Sequence, residues 1–327
     1  VMPSLSAAER EVGQLIMTGF AGTLPTPQLL AEVRGGEIGG VLLFGENISS
    51  RLPQAISQLQ RAARLGGHSP LLIATDQEGG PIRRFPEGPP VPSTRAIRSP
   101  AEAYRQGLET GRFLAAHGVN VDFAPIADVT GSQDFELAQE RGFNGTPSEV
   151  ALLVEAFVRG LQTAGVAATA KHFPGIGTLP VDTDYKLQKV AGSVGELEAR
   201  ALPFRRAIKA GLRLVMMANA IYPSLDPRWP ATMSPSIQQG LLRRRFGFRG
   251  VIVTDALNGP PESPGSLAER AVHAVEAGAD IVLFDAEEDG PLIYRALVRA
   301  LRDHQLSPAT VEAAFATVSA LKRWVAP

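Results

Sequence analysis

Short apolar runs that end in polar or glycine residues recur along the chain. They are GQLIMTGF at 13–20, GVLLFGEN at 40–47, PLLIATDQEGG at 70–80, VDFAPIAD at 121–128, AATAKHF at 167–173, LVMMANA at 214–220, GVIVTDALN at 250–258 and DIVLFDAE at 280–287. These runs are continuous rather than alternating, which is the pattern of strands buried on both faces of a parallel sheet. Helical periodicity fills several of the gaps: SQLQRAARLG after the second run, AYRQGLETGRFLAAHG after the third, VALLVEAFVRGLQTAG after the fourth and SLAERAVHAVEAG after the seventh. All four end in glycine, as helix C-termini often do. Eight such runs alternating with helices predict an α/β fold, a single (β/α)8 barrel of the TIM type over residues 1–327. A doubly wound open sheet shares the local alternation, and the strand count is what separates the two. A last helical pattern, PATVEAAFATVSALKRWV at 308–325, is expected on the outside of the barrel.

In such a barrel the chemistry sits on the loops that follow the C-terminal ends of the strands. Asp76, Asp128, Lys171, His172, Asn219, Asp255 and Asp285 all fall at run ends. Two Pro-rich stretches, FPEGPPVPST at 85–94 and NGPPESPGS at 258–266, also follow strand ends and read as long loops on the same face.

Composition limits the partners. With 44% apolar residues, 20% charged residues and a net charge of −1, the chain has no bulk attraction for nucleic acid or an anionic membrane surface. No window of roughly 18 apolar residues and no basic-then-apolar start is visible, so neither a span nor a signal peptide is expected and the cytoplasm is the simplest location. The chain has no cysteine, which excludes disulfides and thiolate metal sites and suits a reducing compartment. A monomer is the default expectation.

Paired carboxylates from different strand ends suit glycoside hydrolysis, in which one group donates a proton while another attacks the sugar carbon. Asp255, closing the apolar run VIVTD, is the best nucleophile, because an ionised carboxylate there is costly unless it is hydrogen-bonded or used. Capping of the following helix is the plain alternative. The run DQEGGPIRRF places Asp76, Glu78, Arg83 and Arg84 around a Gly-Gly turn, a mixture of acceptors and planar donors that fits sugar hydroxyls or, more plainly, a solvated ion pair. His172 is the one histidine of five at a strand end, and with Lys171 it opens a Gly-Pro loop that suits ligand binding. A metal site from His172, Asp182 and Asp184 is conceivable, but no HxH or HExxH spacing supports it. GIG at 175–177 lacks the rest of a dinucleotide fingerprint. No metal and no cofactor are therefore expected.

At this point the chain resembles glycoside hydrolase family three, and within it the single-domain bacterial β-N-acetylglucosaminidases. The resemblance runs in order through LIMTGFAG, GGVLLFGENI, ATDQEGGPIRRF, VDFAPIADV, QERGF, AATAKHFPGIG, IYPSLDP and FGFRGVIVTDAL. It implies a (β/α)8 barrel without a cofactor, a small carbohydrate substrate, and a retaining two-step reaction through a covalent glycosyl-enzyme. N-acetylglucosamine from cell-wall fragments is the implied sugar. By position, Asp255 matches the nucleophile, Asp76 and Arg84 match sugar-hydroxyl binders, Arg141 matches a further sugar contact, and Lys171 with His172 match the pair that holds the ring.

The sequence also departs from that pattern. The loop of these relatives reads KHFPGHGxxxxDSH, its last His being the acid/base and the Asp before it the orienting group. Here Asp182 matches the orienting Asp, Asp184 stands where the His is expected, and Ile176 replaces the earlier His. Asn219 replaces a His after the next strand, Pro81 replaces an Arg, and NGPPESPG replaces a Met-containing continuation after the nucleophile. Asp184 can still act as an acid if a neighbouring carboxylate raises its pKa. Its reach is shorter than that of His by roughly 2 Å, so the loop is expected to lie further inward. The alternatives are a carbohydrate-binding barrel with little turnover and a metal-dependent barrel hydrolase.

Overall fold

The computed structural model describes residues 6–326. Eight parallel strands, one from each of the apolar runs, form its central sheet. They are β1 (Ile16–Thr18), β2 (Gly40–Leu43), β3 (Leu72–Thr75), β4 (Val121–Asp122), β5 (Ala167–Phe173), β6 (Leu214–Met217), β7 (Val251–Thr254) and β8 (Val282–Phe284). Neighbours in the sheet are neighbours in sequence, and β1 also pairs with β8, Ile16 against Val282. A parallel bridge between Val253 and Ile281, with the Leu257 N–H donating to the Leu283 carbonyl at 2.9 Å, joins β7 to β8 and closes the ring. An open sheet has two edges, so this closure decides for the barrel.

A helix follows each strand: α1 (Pro27–Gly35), α2 (Leu52–Leu65), α3 (Pro100–Ala116), α4 (Pro147–Thr163), α5 (Leu202–Lys209), α6 (Ser236–Arg245), α7 (Leu267–Ala277) and α8 (Gly290–Arg302). Their starts have a local cause. Thr26, Ser99, Thr146 and Ser266 each accept a backbone N–H from the first turn, and proline occupies the first helical position of α1, α3 and α4, where no donor is missed. The helix α6 winds with wider π-type turns, which hides it from a 3.6-residue pattern. A final helix, α9 (Pro308–Val325), packs on the segment entering β1, where buried Lys322 donates to Gln14 at 2.8 Å.

The strands are buried along their length, and the helices add their apolar faces to the core. Helices α3 and α4 meet unusually closely. A β-carbon on Gly107 would stand 2.3 Å from the Phe157 carbonyl oxygen, and one on Gly160 would stand 2.1 Å from that of Tyr104. Only glycine allows this double approach, and it ties the helices behind β3 and β4 into one slab.

Outside the barrel, short strands shape the loops on the C-terminal face. Gln77–Gly79 pairs with Ile82–Arg83 just after β3. Gln188–Lys189 pairs with Ala220–Tyr222, which in turn pairs with Asp226–Pro230. The far end of the long loop after β5 is therefore pinned to the segment that leaves β6.

Candidate active site

A cavity of about 380 Å³ opens on the C-terminal face of the barrel. It gathers Asp76, Arg84, Arg141, Lys171, His172, Asp182, Asp184 and Asp255, whereas Arg83 does not line it and donates to the Gly80 and Gly88 carbonyls at 3.1 and 3.2 Å. The cavity residues arrive from the ends of β3, β5 and β7 and from the loops after β3, β4 and β5. In a regular strand, successive side chains face opposite sides. At the end of β5 the pairing with β6 breaks register between Ala170 and Phe173, and both Lys171 and His172 line the cavity.

One wall is an ion network. The Lys171 ammonium, buried, sits 2.8 Å from Asp76 Oδ1 and 2.7 Å from Glu78 Oε1. Arg141 meets Glu78 with two parallel bonds, Nε to Oε2 and Nη2 to Oε1, both 2.9 Å. Arg84 approaches Asp76 Oδ2 at 3.5 Å. Burial works against charge on these groups, but the cations prevail. Lys171 and Arg84 hold the Asp76 carboxyl below its ordinary range, and Arg141 and Lys171 hold Glu78 far below. Lys171 is raised in turn, because Asp76 and Glu78 outweigh its own burial. Asp76, Glu78, Arg141 and Lys171 are all shifted toward their charged forms, so their hydrogen-bonding directions are fixed before a ligand arrives.

Beneath it lies His172. Its Nδ1 is 2.9 Å from Asp128 Oδ2 and 3.6 Å from Glu136 Oε1. Asp128 also accepts the backbone N–H groups of His172 at 2.9 Å and Ile176 at 2.8 Å, which sets both the ring and the start of the loop. Burial disfavours the imidazolium, yet the bond and charge of Asp128, with Asp255 beyond, raise the His172 pKa overall. Glu136 is fully buried and neither of its carboxylate oxygens has a hydrogen-bond partner. Burial first, then the negative charge of Asp128, push its pKa well up. His172 thus shares its Nδ1 side with Asp128 and Glu136, whose donor atoms lie within 4.8 Å of it, and not with the Asp182 and Asp184 of the conceivable metal trio.

The opposite wall carries the remaining carboxylates. Asp255 is half-buried at the end of β7, and its Oδ1 accepts the Ala256 N–H at 2.9 Å. Burial raises its pKa, opposed by His172. Asp184 is exposed to solvent at the cavity mouth, on a loop whose Asp182 Oδ1 accepts the Asp184 N–H at 3.0 Å. Asp182 therefore orients the Asp184 backbone rather than its side chain. The protein mass around Asp184, then the negative fields of Asp255 and Asp182, push its carboxyl up to about 7. Asp285, at the end of β8, lines the same cavity and is held by Asn258 at 3.0 Å.

Sequence reasoning passed over Glu136, which lies on a short turn of helix in the β4 loop and has no strand-end signal. It noted Glu78 but not that Glu78 is the ionic hub of the wall. Asn219 was marked by its strand-end position and as a departure from the family pattern. Its side chain, buried, donates to the Ala256 carbonyl at 2.8 Å and the Gly259 carbonyl at 3.2 Å, and so secures the loop after β7.

Among the described residues no helix is long and apolar enough to cross a membrane. Residues 7–321 match the model of the family described as glycosyl hydrolase family 3 N terminal domain. A protein of Arthroderma benhamiae described as an uncharacterized secreted glycosyl hydrolase is 34% identical, over 95% of this chain and 92% of that one. A beta-hexosaminidase of Nitrosomonas eutropha is 36% identical over 84% of this chain and 81% of its own length. A family 3 β-N-acetylglucosaminidase structure from Paenibacillus sp. str. FPU-7 superposes with a TM-score of 0.91 at 34% identity, covering 98% of this chain and 63% of that one. A β-N-acetylhexosaminidase from Beutenbergia cavernae superposes at 0.87 with 32% identity, covering 98% and 99%. The chain thus spans less than two thirds of the Paenibacillus protein and nearly all of the Beutenbergia one. With the barrel, the cavity and these likenesses in agreement, the chain belongs to glycosyl hydrolase family 3 and is a glycosidase acting on O-glycosyl bonds.

Proposed function

We propose that the chain is an exo-acting, retaining β-N-acetylglucosaminidase with Asp255 as nucleophile and Asp184 as acid/base. The observation that carries this reading is the pair itself. Two carboxylates from different loops line one cavity, and the field of Asp255 helps keep Asp184 protonated up to about 7. Like charges close together cannot both ionise freely, so one becomes the acid and the other the base or nucleophile. Such a pair titrates as a unit.

In the first step an Asp255 carboxylate oxygen attacks the anomeric carbon while the bond from that carbon to the aglycone oxygen breaks. Asp184 gives its proton to the departing oxygen. In the second step Asp184, now ionised, takes a proton from water, the water oxygen bonds to the anomeric carbon, and the ester to Asp255 breaks. The Asp76, Glu78, Arg84, Arg141 and Lys171 network, together with His172, holds the sugar hydroxyls. Asp182 fixes the backbone under the acid. None of these steps uses a metal or a cofactor.

The relatives named beta-hexosaminidase and β-N-acetylglucosaminidase support this sugar, and cell-wall fragments are the source we propose. The barrel supplies every group the reaction uses, so residues 1–327 act as one catalytic domain and as a monomer. A cysteine-free chain suits action in the cytoplasm.

The test compares phenyl, p-nitrophenyl and dinitrophenyl β-N-acetylglucosaminides, whose leaving groups need progressively less protonation. Asp184→Asn is expected to lower kcat/KM about 10²- to 10⁴-fold for the phenyl glycoside and far less for the dinitrophenyl one. Equal losses on both would remove Asp184 as the acid. Sugar binding without cleavage of any of the three would leave a binding protein in place of an enzyme.

A further inference from the structure

Three of the departures from the family pattern touch one another. Asn219 is held at the junction where the chain leaves β6, directly before the Ala220–Tyr222 strand that pins Gln188–Lys189 at the far end of the β5 loop. From there its Nδ2 reaches the carbonyls of Ala256 and Gly259 at 2.8 and 3.2 Å, fixing the start of the loop after β7. Gly259 then lies flat against Asp184. A β-carbon on Gly259 would stand 2.9 Å from the Asp184 carbonyl oxygen, closer than real β-carbons come, and a tight 3.1 Å from its Cα. A second strap runs beside the first, the Leu187 N–H donating to Glu262 Oε2 at 3.2 Å.

We propose that Asn219 and Gly259 are positioning residues for the acid/base, forming a back wall that sets where the Asp184 carboxyl stands over the scissile bond. This rests on Asp184 being the proton donor. The physical need is clear: a carboxyl is shorter than the imidazole it replaces, and a misplacement on the order of 1 Å can cost about 10²-fold in rate. A backbone that approaches Asp184 without an intervening side chain sets that position from behind. The bare Cα of Gly259 permits the approach, and the amide of Asn219 holds Gly259 in place. Asn219 is buried, and both of its bonds run to the β7 loop, so its part is in the placement of that loop and not in contact with substrate.

The experiment measures kcat/KM on the phenyl and dinitrophenyl glycosides for Gly259→Ala, Asn219→Ala, Asp184→Asn and the double variant Gly259→Ala with Asp184→Asn. The φ of Gly259 is not in the left-handed region, so alanine there acts through its contact with the Asp184 backbone, which must shift to admit it. Gly259→Ala is expected to lose about tenfold on the phenyl glycoside and less than about twofold on the dinitrophenyl one. The double variant is expected to lose no more than Asp184→Asn alone, since a residue that acts through Asp184 has nothing left to position. An equal loss on both glycosides, a loss that adds to that of Asp184→Asn, or no loss at all would overturn the proposal. If Gly259→Ala does not fold, Asn219→Ala, which introduces no clash, carries the same expectation of a loss concentrated on the phenyl glycoside, and an equal loss on both would overturn it. The Asp184→Asn pair alone reads the acid/base assignment, so failure of that assignment is distinguished from failure of the back wall.

Discussion

The two walls of the cavity are built by opposite means. The wall proposed to hold the sugar is a linked chain of charges, with Lys171 between Asp76 and Glu78 and Arg141 clamped to Glu78, Lys171 and Glu78 being buried. The wall with the proposed acid/base is a solvent-exposed carboxyl on a loop, its backbone held by the Asp182 side chain and lying against Gly259. Side-chain networks of the first kind allow little exchange, because removing one partner strands a buried charge. Backbone scaffolding of the second kind lets the residue on top change while the scaffold adjusts. Asp184, where the family resemblance implies a His, stands in the wall of the second kind.

The comparison can be broken most severely at its shared centre. Asp255→Ala is expected to lower kcat/KM on the order of 10⁴-fold or more on phenyl and dinitrophenyl glycosides alike, since no aglycone replaces a missing nucleophile. Retained turnover in a steady-state assay would dismiss Asp255. Next in size is Lys171→Met, which leaves Asp76 and Glu78 facing each other with less compensation. The expected cost is about 3–5 kcal/mol of stability in denaturant titrations, along with weakened substrate binding. A variant as stable as the parent would show that the charge network is not what holds this wall.

The pH profile sharpens the contrast further. With Asp184 as the proposed proton donor and its carboxyl raised to about 7, the protonated form falls tenfold per unit above that pH. The kcat/KM for the phenyl glycoside is therefore expected to fall above about 7, the limb vanishing in Asp184→Asn and flattening on the dinitrophenyl glycoside. A limb that survives Asp184→Asn would belong to another group. Asp76, Glu78 and Lys171 contribute no limb there, because the two carboxyls are held below their ordinary range and the lysine above.

The smallest effect lies under His172. Burial and Asp128 raise the Glu136 pKa, so the folded chain holds a proton that the unfolded chain releases once pH passes the ordinary glutamate value. Folding stability supplied by this group is therefore lost as pH rises above that value. Glu136→Gln, neutral at every pH, is expected to match the parent near pH 4 and to exceed it near pH 8 in thermal melts. The opposite order would mean that Glu136 is ionised and paired.

Much of this was legible in the residues. All eight barrel strands announced themselves as continuous apolar runs, because a doubly covered parallel strand has no polar face to interrupt it. Four helices did not: α1 and α5 are short, α6 winds with π-type turns, and α8 begins directly on an acidic stretch without a side-chain cap. Strand-end position located Asp76, Lys171, His172 and Asp255. It could not reveal Glu136, which comes from a loop helix, nor the reach of Asn219 to Gly259, which depends on how two loops fold against each other. Pairings between loops leave no periodic trace.

The cavity itself has a consequence for the flow of material. Ligand pockets run from about 300 to 1,000 Å³, and at about 380 Å³ this one suits a terminal unit rather than a stretch of polymer. Under the proposed activity, throughput then follows the molar number of chain ends and not the mass of glycan supplied. An intact polymer is a poor diet for such an enzyme, and a digest of short fragments a rich one.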